Sequence, residues 1–215
     1  MKNLLSILFS AIFLFNVNAQ TSLFEHPKFD EIAKNHKIIG ILPFQTHVEL
    51  RPKQMKNMTP DQIHDLEKSE AKSIQNAMYS WFLKRKKRGD MQTVEVQDPS
   101  KTTALLLKKD ITYENMEKYT PDELAKILGV DAIIDGTYDT DKPMSDGASV
   151  ALGLLVGFWG STNTATVNMK VHNAEDGTML WNYNKKVRGS LGSSPDDLIN
   201  ILMRKASRRL AYTKQ

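Results

Sequence analysis

The sequence predicts an α/β fold: a two-layer sandwich with a mixed β-sheet covered by helices, a C-terminal β-hairpin and a final helix. Three observations predict it. Residues 37–44 (KIIGILPF) form a continuous apolar run rich in β-branched residues and closed by a proline, the pattern of a buried strand. Thr59-Pro60-Asp61-Gln62 and Thr120-Pro121-Asp122-Glu123 repeat one helix-start signal. Each has a threonine cap, proline at the first helical position, and a Gln or Glu that closes a capping box. From Thr162 polar and apolar residues alternate, and Glu175-Asp176-Gly177-Thr178 is a tight hairpin turn between two such strands.

The first nineteen residues read as an export signal. A short cationic start with Lys2 precedes an apolar stretch from Leu4 to Phe15, and Val17-Asn18-Ala19 offers a cleavage site before Gln20. The apolar stretch is too short for a comfortable membrane span. Cleavage leaves about 195 residues, enough for one domain with its own core. It also lowers the formal charge of +4 by one, a mild excess that does not by itself imply a nucleic-acid partner. The 215 residues include no cysteine, so thiolate zinc sites, thiol nucleophiles, redox motifs and a lipidated anchor are all excluded.

Residues 20–36 read as an N-terminal linker, with a short helix expected over 27–34. In the strand over 37–44, Gly40 is the expected point of close approach by a neighbour. A polar connection containing Pro52 follows. The helix after Thr59 places Ile63, Leu66, Ala71, Ile74, Ala77, Met78 and Trp81 on one face. It ends in Lys84-Arg85-Lys86-Lys87-Arg88 and Gly89, cations over the negative end of the helix dipole followed by a glycine stop. Residues 93–96 read as a short strand, and Asp98-Pro99 opens a helix through Leu107. The helix after Thr120 runs through Ile127-Leu128 to a stop at Gly129, followed by a strand over 130–138 and a loop over 141–147. After the hairpin, Ser194-Pro195-Asp196-Asp197 caps a last helix with Ile199, Leu202, Met203, Ala206 and Leu210 inward. No internal repeat or second domain is evident, so residues 37–215 form one domain.

Taken in order, the lysine-led IIGILPF strand, the helix–Gly–Val-Asp-Ala-Ile-Ile-Asp-Gly-Thr strand and the Asp-Gly-Thr-Met-Leu-Trp hairpin resemble an envelope family. This is the α/β domain shared by curli-secretion-channel (CsgG-like) lipoproteins and the amino-terminal domain of TolB-like proteins. The resemblance spans roughly residues 37–212. It implies a non-enzymatic part of the bacterial envelope, such as a secretion accessory or an assembly factor, without a cofactor. The chain departs from that family in lacking the lipidated cysteine, and it shows no long alternating apolar strand pairs of the kind a β-barrel pore needs.

The sharpest candidate for function is the uncharged, glycine-punctuated stretch at 148–159 (ASVALGLLVGFW), within an insert over 148–160. As a helix it would span about 18 Å, short of the roughly 30 Å of a bilayer core. Gly153 and Gly157 are spaced to let two helices approach, and Phe158 and Trp159 suit an interfacial anchor. Self-association or membrane contact is one reading; burial against its own sheet is the other. The basic run Lys84, Arg85, Lys86, Lys87 and Arg88 suits an anionic membrane surface or glycan, against the simpler reading of a solvated helix end. It has no interleaved aromatics, so no nucleic-acid partner is expected.

Asp131, Asp135, Asp139 and Asp141 are expected to cluster around one strand end, with Asp131 and Asp135 of the same strand parity. There they could bind a cation or serve acid–base chemistry, and a cleft near Asp135 to Asp141 would suit a small molecule or hydrolytic activity. Strand-end turn acids are the plainer account. The five histidines, His26, His36, His47, His64 and His172, lack metal-ligand spacing, and no metal or catalytic residue is assigned. Asp196 and Asp197 argue against a phosphate cradle after Gly189-Ser190-Leu191-Gly192, since two carboxylates at a helix start repel an anion. The expected protein is exported, periplasmic or bound to the outer envelope, and acts through a protein partner or its own copies.

Overall fold

The computed structural model describes residues 21–49, 56, 58–91, 94–140, 164–188, 195–210 and 212. The export signal, the insert at 148–160, Asp141 and the 189–194 link lie outside the described residues. Within them a mixed sheet is covered by helices, as expected. The elements are β1 (Thr21–Glu25), α1 (Phe29–Ala33), β2 (Ile38–Ile41), β3 (Gln45–Val48), α2 (Pro60–Lys87), β4 (Glu95–Val96) and α3 (Pro99–Leu107). A 3-10 turn at Met116–Lys118 precedes α4 (Pro121–Leu128), β5 (Ala132–Thr140), β6 (Thr164–Asn173), β7 (Met179–Arg188) and α5 (Pro195–Arg209).

The strand order is β1-β7-β6-β5-β2-β4, with β3 also paired to β5. β2 runs parallel to β4 and β5, and β3 runs parallel to β5. The β5-β6-β7-β1 half is antiparallel throughout. β2 and β3 lie end to end along β5, and between them Leu42, Pro43 and Phe44 oppose only Asp135 and Gly136. That mismatch is a bulge centred on Pro43, which has no N–H to give the ladder. The close approach expected at Gly40 falls instead at Gly136. A Cβ at Gly136 would lie 2.1 Å from the Asn168 carbonyl oxygen, whereas one at Gly40 would meet Val130 at an ordinary 3.4 Å.

Both capping boxes form: Thr59 and Gln62 exchange bonds of 2.9 and 3.3 Å, and Glu123 accepts from the Thr120 N–H at 2.8 Å. Gly129 takes the left-handed conformation that ends α4, with φ +64. α1, α2 and α5 bury Phe29, Ile74, Met78, Phe82, Leu202 and Met203 against one face of the sheet. Each such side chain contributes about 1.5–3 kcal/mol of burial. Phe82 rather than Trp81 continues the inward stripe of α2. Trp81 lies between helices, its Nε1 donating to Asn200 Oδ1 of α5 at 3.3 Å. On the opposite face α3 and α4 form a smaller cover over Ile133, Leu42 and Val130. Ile133 faces that cover while Ala132 and Ile134 face the main core, as strand alternation requires.

Candidate functional site

The smaller cover stops at Ile133, and beyond it the same sheet face is polar. Register places Asp135, Lys170, Asn182 and Phe24 in one row across β5, β6, β7 and β1. Thr137, Asn168, Asn184 and Ser22 form the next row, and Gln45 of β3 extends it. β6 alternates without a break, its polar half part-exposed and its apolar half buried. Asn182 Nδ2 donates to Asn168 Oδ1 at 2.7 Å, so the rows are cross-linked.

His172 and Asp135 meet at the centre of this face, with Nε2 3.5 Å from Oδ2. His172 Nδ1 lies 3.1 Å from the Gly177 carbonyl, which only accepts, so Nδ1 carries the proton. Nε2 therefore donates toward Asp135 only when the ring is charged. Burial pushes the Asp135 carboxyl up from its ordinary value, with His172 and Lys170 opposing the shift.

Among the described residues the aspartates do not gather at one strand end. Asp131 precedes β5, Asp135 sits mid-strand and Asp139 lies near its far end. Successive members of these three are four positions apart, about 13 Å along an extended strand. Asp131 accepts from the Lys37 and Ile38 N–H groups at 2.7 and 2.9 Å and pins the start of β2.

A cleft of about 620 Å³ opens beside Asp131, between α1 and the β6–β7 turn, and His36 forms part of its wall. His36 Nε2 is 3.1 Å from Asn173 Oδ1, and Asn173 Nδ2 donates to Asp176 Oδ1 at 2.8 Å. Because the carboxylate accepts, the amide oxygen faces His36 and Nε2 carries the ring proton. Nδ1 then accepts from the Tyr212 hydroxyl. Burial holds His36 below its ordinary 6.5 and pushes the Tyr212 hydroxyl far up, so both stay neutral in this chain of bonds. His36, Asn173, Asp176 and Asp131 are thus each bonded to a neighbour, and the chain from Tyr212 to Asp176 ties the segment before β2 to the hairpin and the C-terminus. Among the described residues no three His, Asp or Glu side chains converge on a metal position.

The basic run divides by helix geometry. Lys84 lies over the Trp81 ring at 4.3 Å, Lys86 pairs with Glu95, and Lys87 and Arg88 are exposed. Arg85 points inward and is 7% exposed. It bonds Asp90 at 3.0 Å and Ser207 of α5 at 3.4 Å, so it leaves the solvated patch the sequence suggested. Gly153, Gly157, Phe158 and Trp159 lie outside the described residues.

Sequence reasoning missed β1, read as part of a polar linker. It is an edge strand with one strand neighbour among the described residues. Leu23 is 46% and Phe24 42% exposed, on opposite faces. Beside it on the helix-covered face stands Lys185, whose Nζ donates to Thr21 Oγ1. Burial, with Lys205 and Arg209 adding to it, lowers the Lys185 pKa. Among the described residues no helix is long and apolar enough to cross a membrane.

No family model matches the chain, and no curated protein sequence matches it. Solved structures similar to it include the lipoprotein GNA1162 from Neisseria meningitidis, at 15% identity and TM-score 0.43, covering 81% of this chain and 98% of that one. The PelC dodecamer from Paraburkholderia phytofirmans is similar at 11% identity and TM-score 0.44, covering 89% and 98%. The LpoB C-terminal domain from Salmonella enterica is similar at 7% identity and TM-score 0.33, covering 75% and 93%. Likenesses at this level carry no argument about what the chain does.

Proposed function

We propose that this chain is an exported, non-catalytic interaction or assembly protein of the bacterial envelope. The observation that carries the reading is the unequal treatment of the sheet. One face is closed by three helices, while the other runs polar and part-exposed from Asp135 to an edge strand bearing Leu23 and Phe24. Such a surface suits contact with another macromolecule. The layout of residues 1–19 supports export, and the Gly153, Gly157, Phe158, Trp159 stretch supplies a candidate self-association element. The small-molecule alternative near Asp135 to Asp141 is less favoured, since the cleft found among the described residues lies at Asp131, where Asp131, His36, Asn173 and Asp176 already bond within the protein.

Two measurements test the reading. Cell fractionation with N-terminal sequencing should recover an exported chain that begins at Gln20; an unprocessed cytoplasmic chain overturns export. Light scattering of the recovered chain should give a discrete oligomer that Gly153→Leu weakens. A clean monomer overturns self-association through 148–159.

A further inference from the structure

The C-terminal ends of α2 and α5 meet as one basic surface. Trp81 Nε1 donates to Asn200 Oδ1 at 3.3 Å, and Arg85 Nε donates to Ser207 Oγ at 3.4 Å. Both partners advance in the same direction, so the two helices run side by side and parallel, and their C-terminal ends coincide. Residues three or four apart share a helix face. Lys84 and Arg88 therefore stand on the flank of α2 that carries Trp81 and Arg85. Arg204 stands on the flank of α5 that carries Asn200 and Ser207, and Arg208 follows one turn later. Lys84, Arg88, Arg204 and Arg208 are all exposed, and exposed Lys87 extends the group over the outer face of α2.

Two properties distinguish this surface from an ordinary solvated helix end. Its charge has one sign, since residues 83–88 (LKRKKR) and 204–209 (RKASRR) include no carboxylate. Asp90, just beyond α2, is paired with Arg85, and Glu95 is paired with Lys86. The acids of α5, Asp196 and Asp197, lie at its opposite end. Apolar side chains also stand among the cations. Leu83 is 45% exposed one turn before Lys87, and Ile201 is half-buried one turn before Arg204. Lys84 lies over the half-buried Trp81 ring at 4.3 Å. Cations around exposed apolar residues suit the boundary between lipid headgroups and acyl chains. A soluble polyanion would use the cations and leave Leu83 without a role.

We propose that the joined ends of α2 and α5 dock on an anionic phospholipid surface. Lys84, Lys87, Arg88, Arg204 and Arg208 face the headgroup phosphates, and Leu83 reaches the acyl boundary. Each basic residue near such a surface strengthens binding about fivefold, and salt screens the attraction. The contact is peripheral and needs no spanning helix.

The inference rests on the envelope reading, because export brings the chain to such membranes. The exported chain should sediment with vesicles of phosphatidylglycerol and phosphatidylcholine mixed about 3:7, and about 0.5 M salt should release it. Arg204→Glu with Arg208→Glu should weaken that binding at least about tenfold. Lys101→Glu with Lys108→Glu makes the same charge change at exposed positions of α3 and its C-cap, and should leave binding intact. The chain has no cysteine, so Leu83→Cys carries a single environment-sensitive fluorophore. Its emission should shift to the blue on vesicles, whereas the same label on Lys108→Cys should not. The labelled single variants decide the matter even where a double variant folds poorly. Equal losses from the two double variants reduce the effect to net charge and overturn the proposal, as does an unshifted Leu83 label. Binding to dextran sulfate but not to vesicles overturns it in favour of a glycan-like polyanion. A chain that ignores vesicles yet is exported and forms an oligomer overturns the docking surface alone and leaves the interaction reading standing.

Discussion

His36 Nε2 donates to Asn173 Oδ1 over 3.1 Å, joining residues 137 positions apart. With Tyr212 on the other ring nitrogen, one neutral imidazole holds the segment before β2, the hairpin and the C-terminus together. Its neutrality makes the fold acid-sensitive. An unfolded His36 takes up a proton near its ordinary 6.5, while burial holds uptake in the folded chain to lower pH. Just below 6.5 the unfolded state therefore binds more protons, and stability falls as pH drops through that interval, then levels off below the folded value. Urea unfolding between about pH 7.5 and 5 should show this decline. His36→Asn should flatten it while costing about 1–3 kcal/mol at pH 7.5, because the Tyr212 hydroxyl and Asn173 amide lose their partner. A His36→Asn variant that keeps the full decline assigns it to other groups.

Gly136 and Gly129 separate two reasons for glycine. A side chain at Gly136 collides with the Asn168 carbonyl and the Phe44 ring at the Pro43 bulge, and backbone cannot swing aside. Gly136→Ala should destabilise by about 1–3 kcal/mol, the range for overpacking, and shift the ladder amides of β5 and β6. Gly129 has open space around it, so Gly129→Ala meets only the left-handed backbone penalty, about 1–2 kcal/mol. Denaturant midpoints with amide exchange distinguish the two. Equal midpoint loss with an unperturbed β5–β6 ladder would contradict the collision at Gly136.

Much of the fold was legible because its signals are local. The Thr59 and Thr120 caps, the Gly129 stop and the alternation of β6 each depend on residues within a few positions. β1 and β3 were not legible, since neither carries an apolar run. β3 pairs only because the chain re-engages β5 after Pro43, and β1 because β7 offers it an edge. The same limit applies to the site. Strand parity put Asp131 and Asp135 on one side, but their separation along β5 and the His36–Asn173 contact are tertiary facts. Arg85 shows it most plainly: five cations in a row look solvated until the helix turn aims one at Ser207, 122 residues away.

Arg85 should therefore behave unlike its neighbours. Arg85→Ala leaves Asp90 without its ion pair in a half-buried position and removes the bond to Ser207, a loss of about 1.5–3 kcal/mol for hydrogen bonds to a charged group. Lys87→Ala and Arg88→Ala, both exposed, should leave the unfolding midpoint where it is. Thermal or urea melts of the three variants decide it. If all three behave alike, Arg85 serves no structural role and the run acts as one surface patch.

Asp135 is the residue on which the interaction and cleft readings part. Burial raises its folded pKa above the ordinary 3.8, while His172 and Lys170 partly restrain the rise. As pH climbs from 3.8 to the raised value, the folded state holds the proton longer than the unfolded state does. Stability therefore falls over that interval and stays lower above it. Asp135→Asn carries no charge to bury, so at pH 7 it should unfold no earlier than the parent, with the difference vanishing toward pH 3.8. Denaturant melts across that range check the sign. A variant markedly weaker at pH 7 would show that the His172 contact outweighs the cost of burial. Association should survive the substitution, because the interaction reading gives the carboxylate no chemical task. A ligand-dependent thermal shift in the parent that Asp135→Asn erases would instead return the cleft reading, with Asp135 as its binding group.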